Sequence, residues 1–281
     1  AYEIPKRDWS SDVCSSDLLE EGENSPADIF ISQDAGALGA VSGEGLLAIL
    51  DQEILNKVGM YFQSQARDWV GLTGRVRIFA YSPLRVSNLP KSVDDLTSRE
   101  WKGRLGIAPT NASFQAFVTA MIQTRGEAET EKWLRAIVAN NPKYFEKNSL
   151  IVEAIDAGEI DAGLVNHYYI FEVADELGRP IDVKNAFFAP GDIGNLINSS
   201  GLGILRTSQK VESGKKLIDF LLSDKAQTFF VNKVKEYSVI ESALPPEGLI
   251  PLAEIKAPKV ELAQLADLKR TQKLLIKVGL L

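Results

Sequence analysis

The chain has 281 residues, 45% of them apolar and 25% charged, with 31 Lys and Arg against 38 Asp and Glu for a net charge of −7. This composition excludes a disordered chain, the lone cysteine excludes a disulfide scaffold, and no apolar run reaches the roughly 18 residues of a membrane-spanning helix. The acidic balance argues against a nucleic-acid binder, and the single histidine rules out a His-rich metal site.

Residues 8–18 read Asp-Trp-Ser-Ser-Asp-Val-Cys-Ser-Ser-Asp-Leu and have neither helical nor strand period. The run resembles, residue for residue, a translated short-read sequencing adapter; the alternative is a natural Ser/Asp loop. On the adapter reading residues 1–18 are not native, Trp9 and Cys14 carry no meaning, and the lack of an export signal says nothing about compartment.

From Leu19 the texture becomes that of a folded chain. Ile29-Phe30-Ile31 predicts a buried strand after the Pro26 loop, and Ala35–Leu50 a helix and turn broken by Gly43 and Gly45. Two β-rich runs lie between Val70 and Tyr81, followed by a Pro-punctuated loop, a short helix from Ser92 and a short strand in 102–109. The apolar spacing predicts helices over 113–123, 127–139 and 149–158. A strand over 161–165 leads into a helix over 168–177. A β-like stretch spans 195–205, and further helices are expected over 213–222, 224–231 and 264–277. Alternating strands and helices predict an α/β fold. If 73–81 and 195–205 pair antiparallel, they form a two-strand hinge. Residues 19–75 and 198–281 then make a first lobe and 76–197 an inserted second lobe, with a ligand cleft between them.

The most unusual tetrad is Asn166-His167-Tyr168-Tyr169, just after the predicted strand 161–165. Ligands of α/β proteins sit at such strand ends. Adjacent tyrosines where the chain turns can reach one point in space. Their phenolates would suit a hard trivalent cation such as Fe3+, with protons released on binding. The alternative is a pair of packing tyrosines with satisfied hydroxyls, and spacing alone favours it. Asn111-Ala112-Ser113 precedes a helix and could bind an anion or simply cap. Asn148-Ser149 is a second such start. Gln33-Asp34 could supply an oxygen ligand or a helix cap, and Arg75 an anion partner or a salt bridge. His167 reads more readily as a satisfied side chain than as a ligand. There is no G-x-S-x-G, P-loop, H-E-x-x-H or G-x-G-x-x-G, so no enzyme is expected; the catalytic alternative is an α/β transferase using His167 with Tyr168.

Several marks occur together and in order. They are Ser25-Pro26-Ala27-Asp28-Ile29-Phe30, Leu72-Thr73-Gly74-Arg75, Trp101-Lys102-Gly103-Arg104, Thr110-Asn111-Ala112-Ser113-Phe114, Asn148-Ser149 and Asn166-His167-Tyr168-Tyr169. With them the chain from Leu19 onward resembles the periplasmic ferric-iron-binding proteins of bacterial ABC transporters. The resemblance implies a two-lobed type II periplasmic-binding-protein fold and moves the twin tyrosines to the metal reading. It implies Fe3+ held by the phenolates of Tyr168 and Tyr169. It implies a synergistic anion, phosphate or carbonate, at Asn111, Ala112, Ser113, Asn148 and Asn166, with Arg75 added in carbonate users. Where some members place a carboxylate ligand this chain has Gln33, and Asp34 beside it or water would substitute. A monomer is implied, periplasmic or lipid-anchored, that hands its cargo to a membrane permease and binds no nucleic acid. A receptor of the same fold for phosphate, phosphonate, polyamine or sugar is the alternative. The family's opening strands and further first-lobe ligands would precede Leu19, so the first lobe is expected to be incomplete and the chain as written prone to aggregate.

Overall fold

The computed structural model describes residues 17–240 and 243–281. The adapter-like run therefore lies outside the described residues except for Asp17 and Leu18, and Leu18 is buried in the core. In chain order the principal elements are β1 (Ile29–Ser32), α1 (Ala35–Gly43), α2 (Gln52–Leu55), β2 (Val70–Tyr81), β3 (Leu105–Ile107), α3 (Ala112–Arg125), α4 (Glu127–Ala139), β4 (Lys143–Tyr144) and α5 (Asn148–Asp156). They continue with β5 (Ala162–Asn166), α6 (Tyr169–Leu177), β6 (Lys184–Ala186), β7 (Ile197–Ile204), α7 (Val211–Leu221), α8 (Asp224–Phe229), β8 (Tyr237–Ser238), α9 (Leu252–Ile255) and α10 (Leu268–Lys277). The fold is mixed α/β, as the alternating pattern predicts.

One strand organises the molecule. The two β-rich runs expected between Val70 and Tyr81 are a single strand, β2, buried along all but its last residue. Its glycines do not break it. A Cβ on Gly71 would lie 2.6 Å from Ser199 Oγ and 3.0 Å from Phe62, so glycine here admits a close neighbour, beside a register shift between Gly71 and Thr73. The first half of β2 pairs antiparallel with β7, from Val70↔Leu202 to Val76↔Ile197. The second half pairs antiparallel with β5, from Arg77↔Asn166 to Tyr81↔Ala162. The described sheet runs β1-β7-β2-β5-β3-β4, with β6 and β8 also pairing on β2. The antiparallel pairing expected between 73–81 and 195–205 is therefore present, and the change of partner falls between Val76 and Arg77.

β1 departs from its expectation. Instead of a wholly buried strand it alternates, with Phe30 and Ser32 buried and Ile31 53% exposed. The reason is its place at one end of the described sheet, where it pairs only with β7.

Helix α3 is central: every residue from Phe114 to Ile122 is buried. Phe117 meets Trp133 of α4 edge-on, and the Trp133 indole N–H donates to the Val93 carbonyl at 2.9 Å. The closing helix α10 lies on α3 and α4. Thr119 Oγ1 and Thr271 Oγ1 share a buried 2.7 Å hydrogen bond, and Arg270 and Lys277 each reach a glutamate of α4, Glu127 and Glu131, at 2.7 Å. The 3-10 turn before it (Leu262–Ala266) presses on α1, where a Cβ at Gly36 or Gly39 would come within 2.7 and 2.3 Å of the Leu265 and Ala263 carbonyl oxygens. Among the described residues no helix is long and apolar enough to cross a membrane.

Candidate functional site

The tyrosine turn begins where β5 leaves the sheet. After Arg77↔Asn166 the ladder gains one more rung, because the His167 N–H donates to the Val76 carbonyl at 3.0 Å. The return bond comes from a side chain: the Val76 N–H donates to His167 Nδ1 at 3.1 Å. The chain can then turn, and Tyr168 caps α6, which Tyr169 opens.

Tyr168 and Tyr169 are half-buried neighbours with ring centroids 4.4 Å apart and planes inclined by 35°. Asn166 Nδ2 approaches the Tyr168 hydroxyl at 3.5 Å. Burial pushes the Tyr168 phenol well above its ordinary range; the Arg75 guanidinium opposes this, while Tyr169 and Glu236 add to it. Proton loss from Tyr168 therefore requires a strong positive charge beside its oxygen. Among the described residues no group of three His, Cys, Asp or Glu side chains is placed to hold a metal.

Arg75 is buried with the tyrosines and donates to the Gln33 carbonyl. Burial alone would lower its pKa; Glu236, Tyr168, Asp34 and Tyr169 outweigh that and raise it. Gln33 thus enters through its main chain, and the residue itself is exposed. Asp34 is the N-cap of α1: Oδ1 accepts from the Gly36 N–H at 2.7 Å and Oδ2 from Asn198 Nδ2 at 2.5 Å.

Asn111, Ser113 and Asn148 form a second, contiguous cluster. Asn111 Oδ1 caps α3 by accepting from the Ser113 N–H at 3.0 Å, and it also accepts from Ser113 Oγ at 2.6 Å and Asn148 Nδ2 at 3.1 Å. Asn148 Nδ2 reaches Ser113 Oγ at 2.9 Å as well, and Asn148 Oδ1 is buried without a partner. Ala112 is exposed at the helix start. Arg77 links the two clusters. It is 2% exposed, donates to Ser113 Oγ at 3.1 Å and to the Leu164 carbonyl at 2.8 Å, and lies over the Phe114 and Phe117 rings. Burial lowers its pKa to about 9, opposed by Tyr169 and Tyr168, so it stays charged at neutral pH.

The structure thus gathers Tyr168, Tyr169, Asn166, Arg75 and Asp34 into one neighbourhood and Asn111, Ser113 and Asn148 into the next. Sequence reasoning missed Arg77, Thr73 and Glu236. Arg77 left a signal, a second arginine two positions after Arg75 in an otherwise apolar strand. Glu236 left none; it stands among lysines in sequence, yet it is buried and accepts from Thr73 Oγ1. A cavity of about 600 Å3 opens elsewhere, by Tyr61, Ile197 and the 252–262 stretch, and holds none of the candidate ligands.

A family profile described as bacterial extracellular solute-binding protein matches residues 24–252. The Fe(3+)-binding periplasmic protein of Serratia marcescens is 33% identical over 99% of this chain and 83% of its own length. The major ferric iron-binding protein of Neisseria meningitidis is 33% identical over 96% of this chain and 82% of its own. Among solved structures, iron-bound HitA from Pseudomonas aeruginosa superposes with a TM-score of 0.88 at 31% identity, covering 96% of this chain and 88% of that one. The Trichodesmium protein in complex with iron and citrate gives 0.85 at 27% identity over 97% and 89%. The fold is shared with a binding protein from Actinobacillus pleuropneumoniae that holds fructose 6-phosphate, at a TM-score of 0.77, 19% identity and 97% and 89% coverage. The chain accordingly belongs to the bacterial extracellular solute-binding protein family, and its mixed α/β fold is that of the two-lobed periplasmic ferric-binding proteins.

Proposed function

We propose that the protein is an extracytoplasmic receptor for Fe3+ that closes its two lobes around the ion and a synergistic anion and delivers the ion to an ABC permease. The observation that carries this reading is the adjacent, half-buried pair Tyr168 and Tyr169, facing the buried guanidinium of Arg75. A phenolate is a hard oxygen donor, and Fe3+ is a cation hard and charged enough to displace its proton. Two phenolates leave one positive charge on the ion, which a bound phosphate, carbonate or citrate would neutralise. Asn111, Ala112, Ser113, Asn148 and Asn166 are the groups assigned to that anion, with Arg75 as a further partner. Asp34, or water beside Gln33, completes the metal's oxygen set from the lobe made of 19–75 and 198–281. Rotation about β2 and β7 would bring that lobe onto 76–197. The protein works as a monomer, free in the periplasm or lipid-anchored, and catalyses no reaction.

The test is a titration of the metal-free protein with ferric citrate, followed in the visible. A reddish phenolate-to-iron charge-transfer band is expected to grow to one equivalent. No band at saturation would overturn the reading. Calorimetric binding of phosphate, a phosphonate, a polyamine or a sugar phosphate to the colourless protein would replace it with the alternative solute.

A further inference from the structure

We infer that His167 is a positioning residue for the tyrosine pair: its imidazole bolts the turn carrying Tyr168 and Tyr169 to β2 on one side and to the segment entering β8 on the other. The inference rests on the ferric reading of the tyrosines. His167 is fully buried, and both ring nitrogens are used. Nδ1 accepts from the Val76 N–H at 3.1 Å, which leaves the proton on Nε2, and Nε2 donates to the Lys235 carbonyl at 2.8 Å. Those partners lie 91 and 68 residues away in the chain. Val76 is the last residue of β2 paired with β7. Lys235 holds a left-handed backbone, φ 61°, just before Glu236 and Tyr237. Tyr237 lies against the imidazole with centroids 4.8 Å apart, and the Tyr168 ring meets the same imidazole edge-on at 5.6 Å. β8 itself pairs with β2 at Thr73 and Gly74.

The ring therefore does what a further strand residue cannot. A β5 continued past His167 would satisfy Val76 with main chain but carry the tyrosines along the sheet. The side chain satisfies the same N–H while the main chain turns away, and its second nitrogen fixes the direction of that turn. His167 is consequently spent on two main-chain groups and is no metal ligand. Its effect on iron is exerted through the placement of the two phenol oxygens.

The conservative variants separate the two bonds. In His167→Asn the amide oxygen stands near Nδ1 and keeps the Val76 bond; in His167→Gln the amide nitrogen stands near Nε2 and keeps the Lys235 bond; His167→Leu keeps neither. Each full-length chain is loaded with ferric citrate. The position of the charge-transfer band, the half-time of iron removal by a chelator and the unfolding midpoint of the metal-free protein are then read. His167→Leu is expected to shift the band and shorten the half-time at least about tenfold, since both hydrogen bonds are lost and one alone is worth about that factor. His167→Asn should restore most of both and His167→Gln less. Wild-type band and half-time in the Leu variant overturn the inference, whatever happens to its midpoint. If the Leu variant fails to fold, the Asn and Gln variants decide: wild-type iron behaviour in both overturns it, and a displaced band in either supports it. An unmodified chain without any band would instead remove the ferric reading, a distinct result.

Discussion

Arg75 and Arg77 are the same residue on the same strand, two positions apart and both buried, yet they live in opposite surroundings. Arg75 is near Glu236, Asp34 and the two tyrosines, and their electrostatic pull outweighs its burial, the carboxylates carrying the charge at neutral pH. Arg77 faces Ser113, the Leu164 carbonyl and the Phe114 and Phe117 rings, and burial prevails. One cation is balanced inside the protein; the other is held by dipoles and aromatic faces beside the cluster assigned to the anion. A buried charge without an opposite charge is costly. The contrast is the physical ground for proposing a negative ligand beside Arg77 and not beside Arg75 alone.

Four measurements sharpen or break the contrast. The largest effect is expected from the double change Tyr168→Phe with Tyr169→Phe. It should abolish the ferric band while Glu236 and Asp34 still balance Arg75, so the unfolding free energy in urea moves by no more than roughly 1 kcal/mol. Next, Arg75→Met removes the donor to the Gln33 carbonyl and the cation near Glu236 and Asp34, and should cost about 3 kcal/mol in the same urea experiment; a loss below about 1 kcal/mol would mean that Arg75 is not balanced as described. Third, His167 tests how this neighbourhood treats an added positive charge. Burial pushes its pKa down to about 4, with Arg75 a smaller contributor and the two main-chain bonds opposing. The unfolded imidazole titrates near 6.5, so between those values the unfolded chain binds more protons. The metal-free fold should therefore lose roughly 2–3 kcal/mol as pH falls from about 6.5 to about 4, most of it absent in His167→Asn. The smallest effect is expected for Arg77→Met, within about 1–2 kcal/mol, because an apolar side chain suits the two phenylalanines and Ser113 keeps its bonds to Asn111 and Asn148. Its signature is functional: Arg77 donates to Ser113, one of the groups proposed for the anion, so iron loading should lose part of its dependence on added phosphate or carbonate, and an unchanged dependence would mean that Arg77 plays no part there.

Most of the fold was legible because its long elements carry clear periods. The helix expected over 127–139 is found as Glu127–Ala139, and the pairing of 73–81 with 195–205 followed from two apolar β-like stretches far apart in sequence. The short strands Lys143–Tyr144, Lys184–Ala186 and Tyr237–Ser238 were not legible, since two or three residues hold no period and are strands only because a partner lies alongside. The two β-rich runs expected between Val70 and Tyr81 are one strand, in which Gly71 admits a close neighbour without ending the run. Within the site, the tyrosines and the Asn111 cap could be named from local pattern. Glu236 and the two partners of His167 could not, because they are brought in from distant parts of the chain.

The C-terminal arm has a mechanical consequence. Its 3-10 turn is pressed onto the helix that starts beside Asp34, and its last helix is bonded to the helix that starts beside Asn111. Residues 262–277 therefore staple together the two helices whose N-caps are Asp34 and Asn111. On the proposed receptor reading, any swing of one helix against the other would strain or slide this staple, so its stiffness would enter the equilibrium between gaping and clasped forms although none of residues 262–277 is assigned to the cargo.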